Sequence, residues 1–166
     1  HLSLRRQRQM CIRDRRSQMT TPRIVVYIDG GARGNPGPAG YGVRIETAHG
    51  DVENELYAPI GLATNNVAEY RGLIAALTYL VERGYQEALI RSDSQLLVRQ
   101  MQGRYRVRHP RLQPLYREAK TLEARLTLVT FEHIRRTENT AADRLSNIAM
   151  DAQQATETPQ GQARQT

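Results

Sequence analysis

The sequence predicts an α/β domain built on a five-stranded mixed sheet that is flanked by helices. Short apolar runs rich in β-branched residues predict strands, and longer segments with apolar residues at helical spacing predict helices. Glycine and proline separate these segments and give the element order β-β-β-α-β-α-α-β-α. A hairpin joins antiparallel strands and a helical crossover joins parallel ones, so this order requires mixed strand directions.

The first three strands follow one another without an intervening helix. Residues 23–29 form an apolar run that ends on Asp29, and residues 30–40 then contain five glycines and two prolines. So many breakers predict a turn in which the backbone can approach a ligand closely. Residues 41–47 and 52–58 are the next two strands, and we expect all three to be antiparallel.

The second half of the domain alternates between helix and strand. Thr64 offers an N-cap for a helix that runs to about Arg83, with an apolar face at helical spacing. The remaining elements are predicted to be a strand over 89–93, a helix over 94–103, a helix that begins between Pro110 and Pro114, a strand over 126–134 and a helix over about 140–151.

The positive charge of the chain is concentrated at one end. The formal net charge is +7, and residues 1–18 hold six arginines against one acidic residue. We interpret residues 1–18 as a non-native or disordered basic leader, and a nucleic-acid-binding arm or a targeting segment as the alternatives. Residues 19–152 form the predicted domain. Residues 153–166, which lack apolar periodicity, are expected to be a disordered tail.

The cysteine content and the hydropathy pattern limit the setting of the protein. Cys11 is the single cysteine and lies in the leader, which excludes disulfides and thiolate metal ligands from the domain. No segment approaches the roughly 20 apolar residues that a membrane-spanning helix needs. We therefore expect a cytoplasmic monomer without a membrane partner.

Four acidic residues lie at the ends of predicted elements. Asp29 and Asp93 each end a strand, and adjacent parallel strands would bring both to one edge of the sheet. Glu69 and Asp143 lie in the first turns of predicted helices. Each acid alone has an ordinary explanation, as a turn former or a partner of the helix dipole. Together they suggest a site for a hard divalent cation, because oxygen ligands select Mg²⁺ or Mn²⁺.

Four dispersed motifs resemble type 1 ribonuclease H. They are the strand that ends on Asp29 with the glycine-rich segment up to Gly42, then Thr64 to Tyr70, then Ser92 to Gln95, and finally His133 with the run from Arg136 to Ser146. The motifs occur in the family's order over residues 23–151. This resemblance implies a ribonuclease H-like fold for the predicted sheet and helices.

The region between the second and third helices departs from many bacterial members of that family. Those members insert a basic, tryptophan-containing protrusion there, whereas residues 101–109 are short and the chain has no tryptophan. The chain therefore resembles the compact prokaryotic form. Arginines are frequent in this region, either as a small phosphate-binding surface or as an ordinary solvated loop.

The resemblance implies endonucleolytic hydrolysis of the RNA strand of an RNA–DNA hybrid with two Mg²⁺ ions, for which Mn²⁺ could substitute. It assigns the metal and the chemistry to Asp29, Glu69, Asp93 and Asp143. It assigns the hybrid to Asn35, Asn66, Gln95 and Asn139.

Two of these assignments have specific alternatives. Asn139 is either a substrate-site residue that orients Asp143 or a cap before the last helix. His133 lies ten residues before Asp143, where some family members carry a histidine that assists product release. Ile134, Arg135 and Arg136 follow it rather than a glycine-rich loop. A structural histidine at the end of a strand is therefore the alternative.

Two other function classes compete with this hypothesis. A catalytically weak module could bind nucleic acid through the same fold, and the intact set of four acids argues against it. Another nuclease or strand-transfer enzyme of the wider superfamily, such as an integrase core, is the second alternative. Such enzymes usually have three acids and lack the amides at Asn35, Asn66 and Gln95.

Overall fold

The computed structural model describes residues 23–157 and contains, within that range, five strands and four α-helices. The strands are β1 (Ile24–Ala32), β2 (Gly37–Glu46), β3 (Val52–Ala63), β4 (Glu87–Ser92) and β5 (Leu128–His133). The helices are α1 (Asn65–Glu82), α2 (Gln95–Met101), α3 (Gln113–Glu123) and α4 (Thr140–Glu157), with a 3₁₀ turn at Arg136–Glu138. The predicted element order is confirmed. The predictions for residues 1–18 and 158–166 lie outside the described residues.

The five strands form one mixed sheet in the order β3-β2-β1-β4-β5. The pairs β1–β2 and β2–β3 are antiparallel, whereas β1–β4 and β4–β5 are parallel. Hairpins connect the first three strands, and helical crossovers connect the others, as the element order requires. The predicted mixed sheet is therefore confirmed. It places the carboxyl ends of β1, β4 and β5 at one edge.

The first hairpin is longer than the sequence predicts. β1 continues past Asp29, and Gly30, Gly31 and Ala32 pair with residues 39–41 of β2. The predicted turn over residues 30–40 is therefore wrong for most of its length, and the turn is confined to residues 33–36. Glycines are unfavourable in strands, but here the approach of two helices requires them.

Two glycines explain that requirement. A Cβ atom on Gly30 would lie 2.4 Å from the carbonyl carbon of Ala68 in α1. A Cβ atom on Gly42 would lie 2.4 Å from the carbonyl oxygen of Ala142 in α4. The absence of both side chains lets α1 and α4 pack directly against the backbone of β1 and β2, on either side of Asp29.

The two faces of the sheet are covered by different helices. The hydrophobic core includes apolar residues of β1, β2 and β4 together with α1, α2 and α3. The predicted apolar face of α1 is confirmed, since Tyr70, Leu73 and Leu77 are buried there. Helix α4 packs on β1, β2 and β3 from the opposite face. No helix within residues 23–157 is long and apolar enough to cross a membrane.

The last helix extends beyond its predicted end. α4 continues to Glu157, so the prediction of a disordered tail is wrong for residues 153–157. The side-chain oxygen of Gln153 accepts a hydrogen bond from the backbone N–H of Gly61 at 2.9 Å. This contact with β3 supplies tertiary stabilisation that the local sequence pattern does not reveal.

Candidate active site

Two of the four predicted acids lie side by side at the carboxyl edge of the sheet. Ile28 of β1 pairs with Ser92 of β4 in parallel register, so Asp29 and Asp93 occupy the next position on neighbouring strands. Asp29 remains within β1, whereas Asp93 follows the last residue of β4. The prediction that both acids meet at one edge is confirmed.

Helix α1 brings Glu69 to the same edge. Thr64 is its N-cap and accepts a hydrogen bond from the backbone N–H of Val67 at 3.3 Å. Glu69 is therefore the fifth helical residue and lies in the second turn, so its predicted placement in the first turn is wrong. The close packing of α1 against Gly30 positions this carboxylate next to Asp29.

Helix α4 supplies the fourth acid. Asp143 lies in its first turn, as predicted. Its carboxylate is 3.6 Å from the guanidinium of Arg136, and its backbone carbonyl accepts a hydrogen bond from Nδ2 of Asn147 at 2.8 Å. The 3₁₀ turn before α4 places Arg136 beside the acid.

The four acids line a single cleft of about 370 Å³. Two neighbouring strands and two helices position them, so the site forms only when the whole domain is folded. The other residues that line the cleft are Gly30, Gly31, Ala32, Arg33, Asn65, Arg136, Ser146, Asn147 and Met150. The structure thus brings together all four acids that the sequence analysis singled out.

The carboxyl group of Asp29 has a strongly altered acidity. Burial raises its pKa to about 7, and the charges of Asp93 and Asp143 act in the same direction. Hydrogen bonds from the Ser146 hydroxyl and from the Gly30 backbone partly oppose this rise. Ionisation of Asp29 near neutral pH is therefore costly when no positive charge compensates it.

Glu69 is perturbed in the same way. Burial is the main cause that raises its pKa to about 7, with smaller contributions from the charges of Asp29 and Asp93. A hydrogen bond with the side chain of Ser94 lowers it. Two carboxyl groups with raised pKa values in one cleft are typical of a functional site, because such ionisation is costly for a purely structural cluster.

The donor set fits a hard divalent cation. All four side chains offer carboxylate oxygens, which are the preferred ligands of Mg²⁺ and Mn²⁺. Within residues 23–157, no three His, Cys, Asp or Glu side chains are close enough to hold an ion as they stand. Mutual repulsion of like charges separates carboxylates, and a cation between them would remove that repulsion. The shared cleft and the raised pKa values are therefore consistent with a metal site.

Two buried polar side chains hold the strand-end acids in place. The hydroxyl of Ser146 lies 2.9 Å from a carboxylate oxygen of Asp29 and is only 1% exposed. Nδ2 of Asn139 donates to the carboxylate of Asp93 at 3.3 Å and to the carbonyl of Ile28 at 2.9 Å. Both contacts restrict the orientation of a carboxylate.

Asn139 directly precedes α4, and its backbone carbonyl accepts a hydrogen bond from the N–H of Asp143 at 3.0 Å, as the alternative of a cap predicts. The prediction that its side chain contacts substrate or orients the Asp143 carboxylate is wrong. Its side chain is completely buried and contacts Asp93 and Ile28 instead. The role of Ser146 was not predicted from the sequence. Its position three residues after Asp143 could have indicated this role, because that spacing places both side chains on one face of a helix.

The three other predicted substrate residues are exposed at the edges of the domain. Asn35 lies in the turn between β1 and β2, Asn66 at the start of α1 and Gln95 at the start of α2. Oδ1 of Asn35 accepts a hydrogen bond from the backbone N–H of Asn65 at 3.1 Å. Asn65, rather than Asn66, lines the cleft. Contact of the three exposed amides with substrate stays a prediction.

His133 does not line the cleft. It is the last residue of β5, and its Nε2 atom lies 3.2 Å from the backbone carbonyl of Asp93. This position agrees with the alternative of a structural histidine at a strand end. Arg136 lines the cleft instead, and its side chain is 81% exposed. The sequence feature that could have indicated Arg136 was the pair Arg135 and Arg136, which occupies the position of a flexible loop in some relatives.

The five-stranded mixed sheet with helices on both faces and acids at its carboxyl edge is the ribonuclease H-like fold. A family model described as reverse transcriptase-like matches residues 27–149. The chain belongs to this family. Its similarity to solved structures places it, within the family, among the type 1 ribonucleases H.

Relatives of known sequence or structure support this placement. Bifunctional protein Rv2228c of Mycobacterium tuberculosis is 52% identical over 131 residues, which are 78% of this chain and 36% of that protein. The chain thus spans about a third of the length of this relative. The solved N-terminal RNase H domain of Rv2228c, fused to maltose-binding protein, is 49% identical with a TM-score of 0.79, covering 82% of this chain and 99% of that one.

A second solved structure contains nucleic acid. LC11-RNase H1, crystallised in complex with an RNA/DNA hybrid, is 44% identical and has a TM-score of 0.75. The alignment covers 78% of this chain and 98% of that one. The similarity therefore includes nearly the whole of the compact relative.

Proposed function

We propose that this chain is an endonuclease that hydrolyses the RNA strand of RNA–DNA hybrids. The observation that carries the proposal is the cleft in which Asp29, Glu69, Asp93 and Asp143 meet from four separate elements. Membership of the family supports it, as does similarity to a ribonuclease H1 that was crystallised with an RNA/DNA hybrid. The chain matches only part of its longer relatives, so the proposal concerns this domain.

Membership of the ribonuclease H family implies dependence on a divalent metal. We assign the metal to the four carboxylates and expect two Mg²⁺ ions, with Mn²⁺ as a substitute. Divalent cations supply Lewis-acid chemistry: they lower the pKa of water and neutralise the charge that develops on a reacting phosphate. The all-oxygen donor set supports this assignment, as do the burial and the neighbouring carboxylates that together raise the pKa of Asp29.

The residues behind the carboxylates have a positioning role. Ser146 holds Asp29 and favours its ionised form, because a hydrogen bond to a carboxylate stabilises the charge. Asn139 fixes Asp93 against the backbone of β1. Both side chains are buried, so substrate does not compete for these hydrogen bonds. The two acids are thereby held in one orientation before substrate binds.

Arg136 is the cation best placed to meet a phosphate next to the reacting bond. It lines the cleft, is mostly exposed and pairs only loosely with Asp143 at 3.6 Å. An exposed pair of this kind contributes little to stability, so the guanidinium can exchange Asp143 for a phosphate at low cost. We therefore assign to Arg136 the product-release role that the sequence predicts for His133.

The exposed amides provide the selection of RNA over DNA. Asn35, Asn66 and Gln95 can each donate and accept hydrogen bonds, as the 2′-hydroxyl group does. An A-like hybrid has a wide, shallow minor groove that displays these hydroxyls. The three residues occupy the turn and the two helix starts at the cleft edge of the domain.

The test is cleavage of an end-labelled RNA–DNA hybrid, beside matched double-stranded RNA, double-stranded DNA and single-stranded RNA. Internal cuts in the RNA of the hybrid alone, with Mg²⁺ and not with EDTA, would support the proposal. Asp29→Asn is the inactive control. Tight binding of the hybrid without cuts in either Mg²⁺ or Mn²⁺ would contradict it and favour a binding module.

A further inference from the structure

The side chain of Arg33 is fixed at the rim of the acidic cleft. Arg33 opens the turn between β1 and β2 and lines the cleft. Its Nη2 atom donates to Oδ1 of Asn147 at 2.9 Å and to Oδ1 of Asp151 at 3.0 Å. These two acceptors lie one turn apart on α4, so they hold the guanidinium along the helix.

The backbone on both sides of Arg33 is also fixed. The N–H of Arg33 donates to the carbonyl of Pro38 at 2.8 Å, which closes the turn. The N–H of Ala32 donates to Oδ1 of Asn65 at 2.8 Å. The turn is thus attached to α1 through Asn65 and to α4 through the Arg33 side chain, and the guanidinium has a defined position before any ligand binds.

The contacts of Arg33 leave most of its donors unused. A guanidinium carries five N–H donors, and the described residues offer acceptors only to Nη2. The Arg33 side chain is 40% exposed, and that of Asp151 is 68% exposed. An ion pair this exposed contributes little to stability. Stabilisation of the fold therefore does not account for an arginine at this point.

The negative charge of the cleft suggests a role for Arg33 in binding the substrate. Four carboxylates repel a polyanionic strand, and among the described residues the cations that line the cleft are Arg33 and Arg136. Arg136 contacts Asp143, and Arg33 contacts acceptors that lie roughly 6–12 Å farther along α4 at 1.5 Å per residue. The two arginines thus follow one helix along the cleft, as cations that contact successive positions of one strand would.

We propose that Arg33 binds a backbone phosphate of the RNA strand, away from the bond that is cut, and that Asn147 and Asp151 preorganise its guanidinium for this contact. The inference rests on the proposed function, because it names a contact of the same substrate. Arg33 then contributes to binding of the hybrid rather than to the chemical step. With Nη2 held by Asn147 and Asp151, the N–H donors on Nε and Nη1 are available to contact phosphate oxygens.

The test compares Arg33→Ala with the unaltered chain in steady-state cleavage of a hybrid at several salt concentrations. We expect KM to rise about tenfold, because a charge-assisted contact with a phosphate is lost, while kcat stays within about twofold. The slope of log(kcat/KM) against log[salt] should become shallower by about one. Arg33→Lys should keep the slope but not the full affinity, because lysine keeps the charge and loses the planar guanidinium that Asn147 and Asp151 hold.

Two control variants isolate the contribution of the Arg33 charge. Arg125 is an exposed arginine between α3 and β5, so Arg125→Ala should leave both KM and the slope unchanged. Asp151→Asn should preserve the slope, since Arg33 keeps its charge. An unchanged slope in Arg33→Ala, or a fall in kcat at constant KM, would overturn the inference. Failure of the unaltered chain to cut the hybrid would instead overturn the proposed function.

Discussion

The core beneath α1 excludes charged side chains, whereas the cleft at the carboxyl edge of the sheet brings four carboxylates together. Leu73, Leu77 and Leu80 of α1 are completely buried among other apolar side chains. One turn away on the same helix, Glu69 enters a cleft with three more carboxylates, and its pKa rises to about 7. The first arrangement stabilises the fold, whereas the second makes ionisation costly near neutral pH.

Stability and activity therefore depend on different residues of the same elements. Burial of an apolar side chain contributes roughly 1.5–3 kcal/mol. Burial of neighbouring carboxylates works against folding unless a cation is bound. Substitutions in the two regions should therefore change stability in opposite directions when metal is absent.

Asp29→Asn should have the largest effect. We expect cleavage of the hybrid to fall by at least about a thousandfold, because an amide cannot replace a charged ligand in a metal-assisted displacement. Hybrid binding, measured by fluorescence anisotropy, should remain within a few fold. In EDTA the variant should melt higher than the unaltered chain, since it removes a costly charge. Near-normal cleavage by this variant would show that Asp29 is not an essential metal ligand.

Leu77→Ala should have the opposite pattern. Removal of a completely buried leucine should lower the free energy of unfolding by about 2–5 kcal/mol. The specific activity of the folded fraction should stay unchanged, because Leu77 does not line the cleft. Urea denaturation followed by circular dichroism measures the first quantity and a cleavage assay in low denaturant the second. An activity loss greater than the unfolded fraction would contradict the separation of the two regions.

The stability of the metal-free protein should depend on pH with a defined sign. Asp29 has a pKa of about 7 in the folded state and an ordinary value of 3.8. Between these values the folded state binds more protons than the unfolded state, so stability falls as pH rises from about 4 through 7. We expect a loss of several degrees in melting temperature, measured in EDTA.

The control for that pH dependence is Asp29→Asn, which should flatten the decline. Glu69 contributes a second titration in the same range and with the same sign, so some decline should persist. An excess of Mg²⁺ should also flatten the curve if the carboxylates hold the ion. A decline that is equally steep in all three samples would mean that other groups cause it.

Ser146→Ala should have a moderate effect on catalysis. The Ser146 hydroxyl lowers the pKa of Asp29, so its removal should raise that pKa further. The acidic limb of the pH profile of kcat/KM should move to higher pH, and kcat near neutral pH should fall by about tenfold. A uniform loss at every pH, without a displaced limb, would show that the hydroxyl contributes only packing.

Arg136→Ala and His133→Ala should have the smallest effects and should differ from each other. Arg136→Ala should slow multiple turnover a few fold more than single turnover, because a cation beside the leaving phosphate is lost. His133→Ala should change neither, since its ring contacts the carbonyl of Asp93 outside the cleft. If His133→Ala slowed multiple turnover more than Arg136→Ala in burst and steady-state experiments, the product-release role would return to His133.

Much of the fold follows from local patterns along the chain. The element order and the apolar face of α1 depend on spacing within one element, and the structure confirms both. The boundaries were harder to predict. β1 extends to Ala32 because its glycines pair with β2 and leave room for a closely packed helix. α4 extends to Glu157, and its residue Gln153 contacts Gly61 of β3.

The candidate site divides in the same way. The four acids were predictable because each lies near the end of a recognisable element, and element ends meet at the edges of sheets. The roles of the neutral residues were not predictable. Asn139 contacts Ile28 across 111 positions of sequence, and Ser146 contacts Asp29 across 117. No local pattern distinguishes a buried amide of this kind from an exposed one.

The sequence by itself determined which segments become strands and helices, and which four carboxylates lie near their ends. Backbone conformation and side-chain periodicity are local properties, so the chain encodes them locally. Only the tertiary structure decided that Asn139 is buried behind Asp93, that Arg136 rather than His133 enters the cleft, and that Arg33 lies along α4. Burial and contact depend on which distant elements pack together, and that is fixed when the whole domain folds.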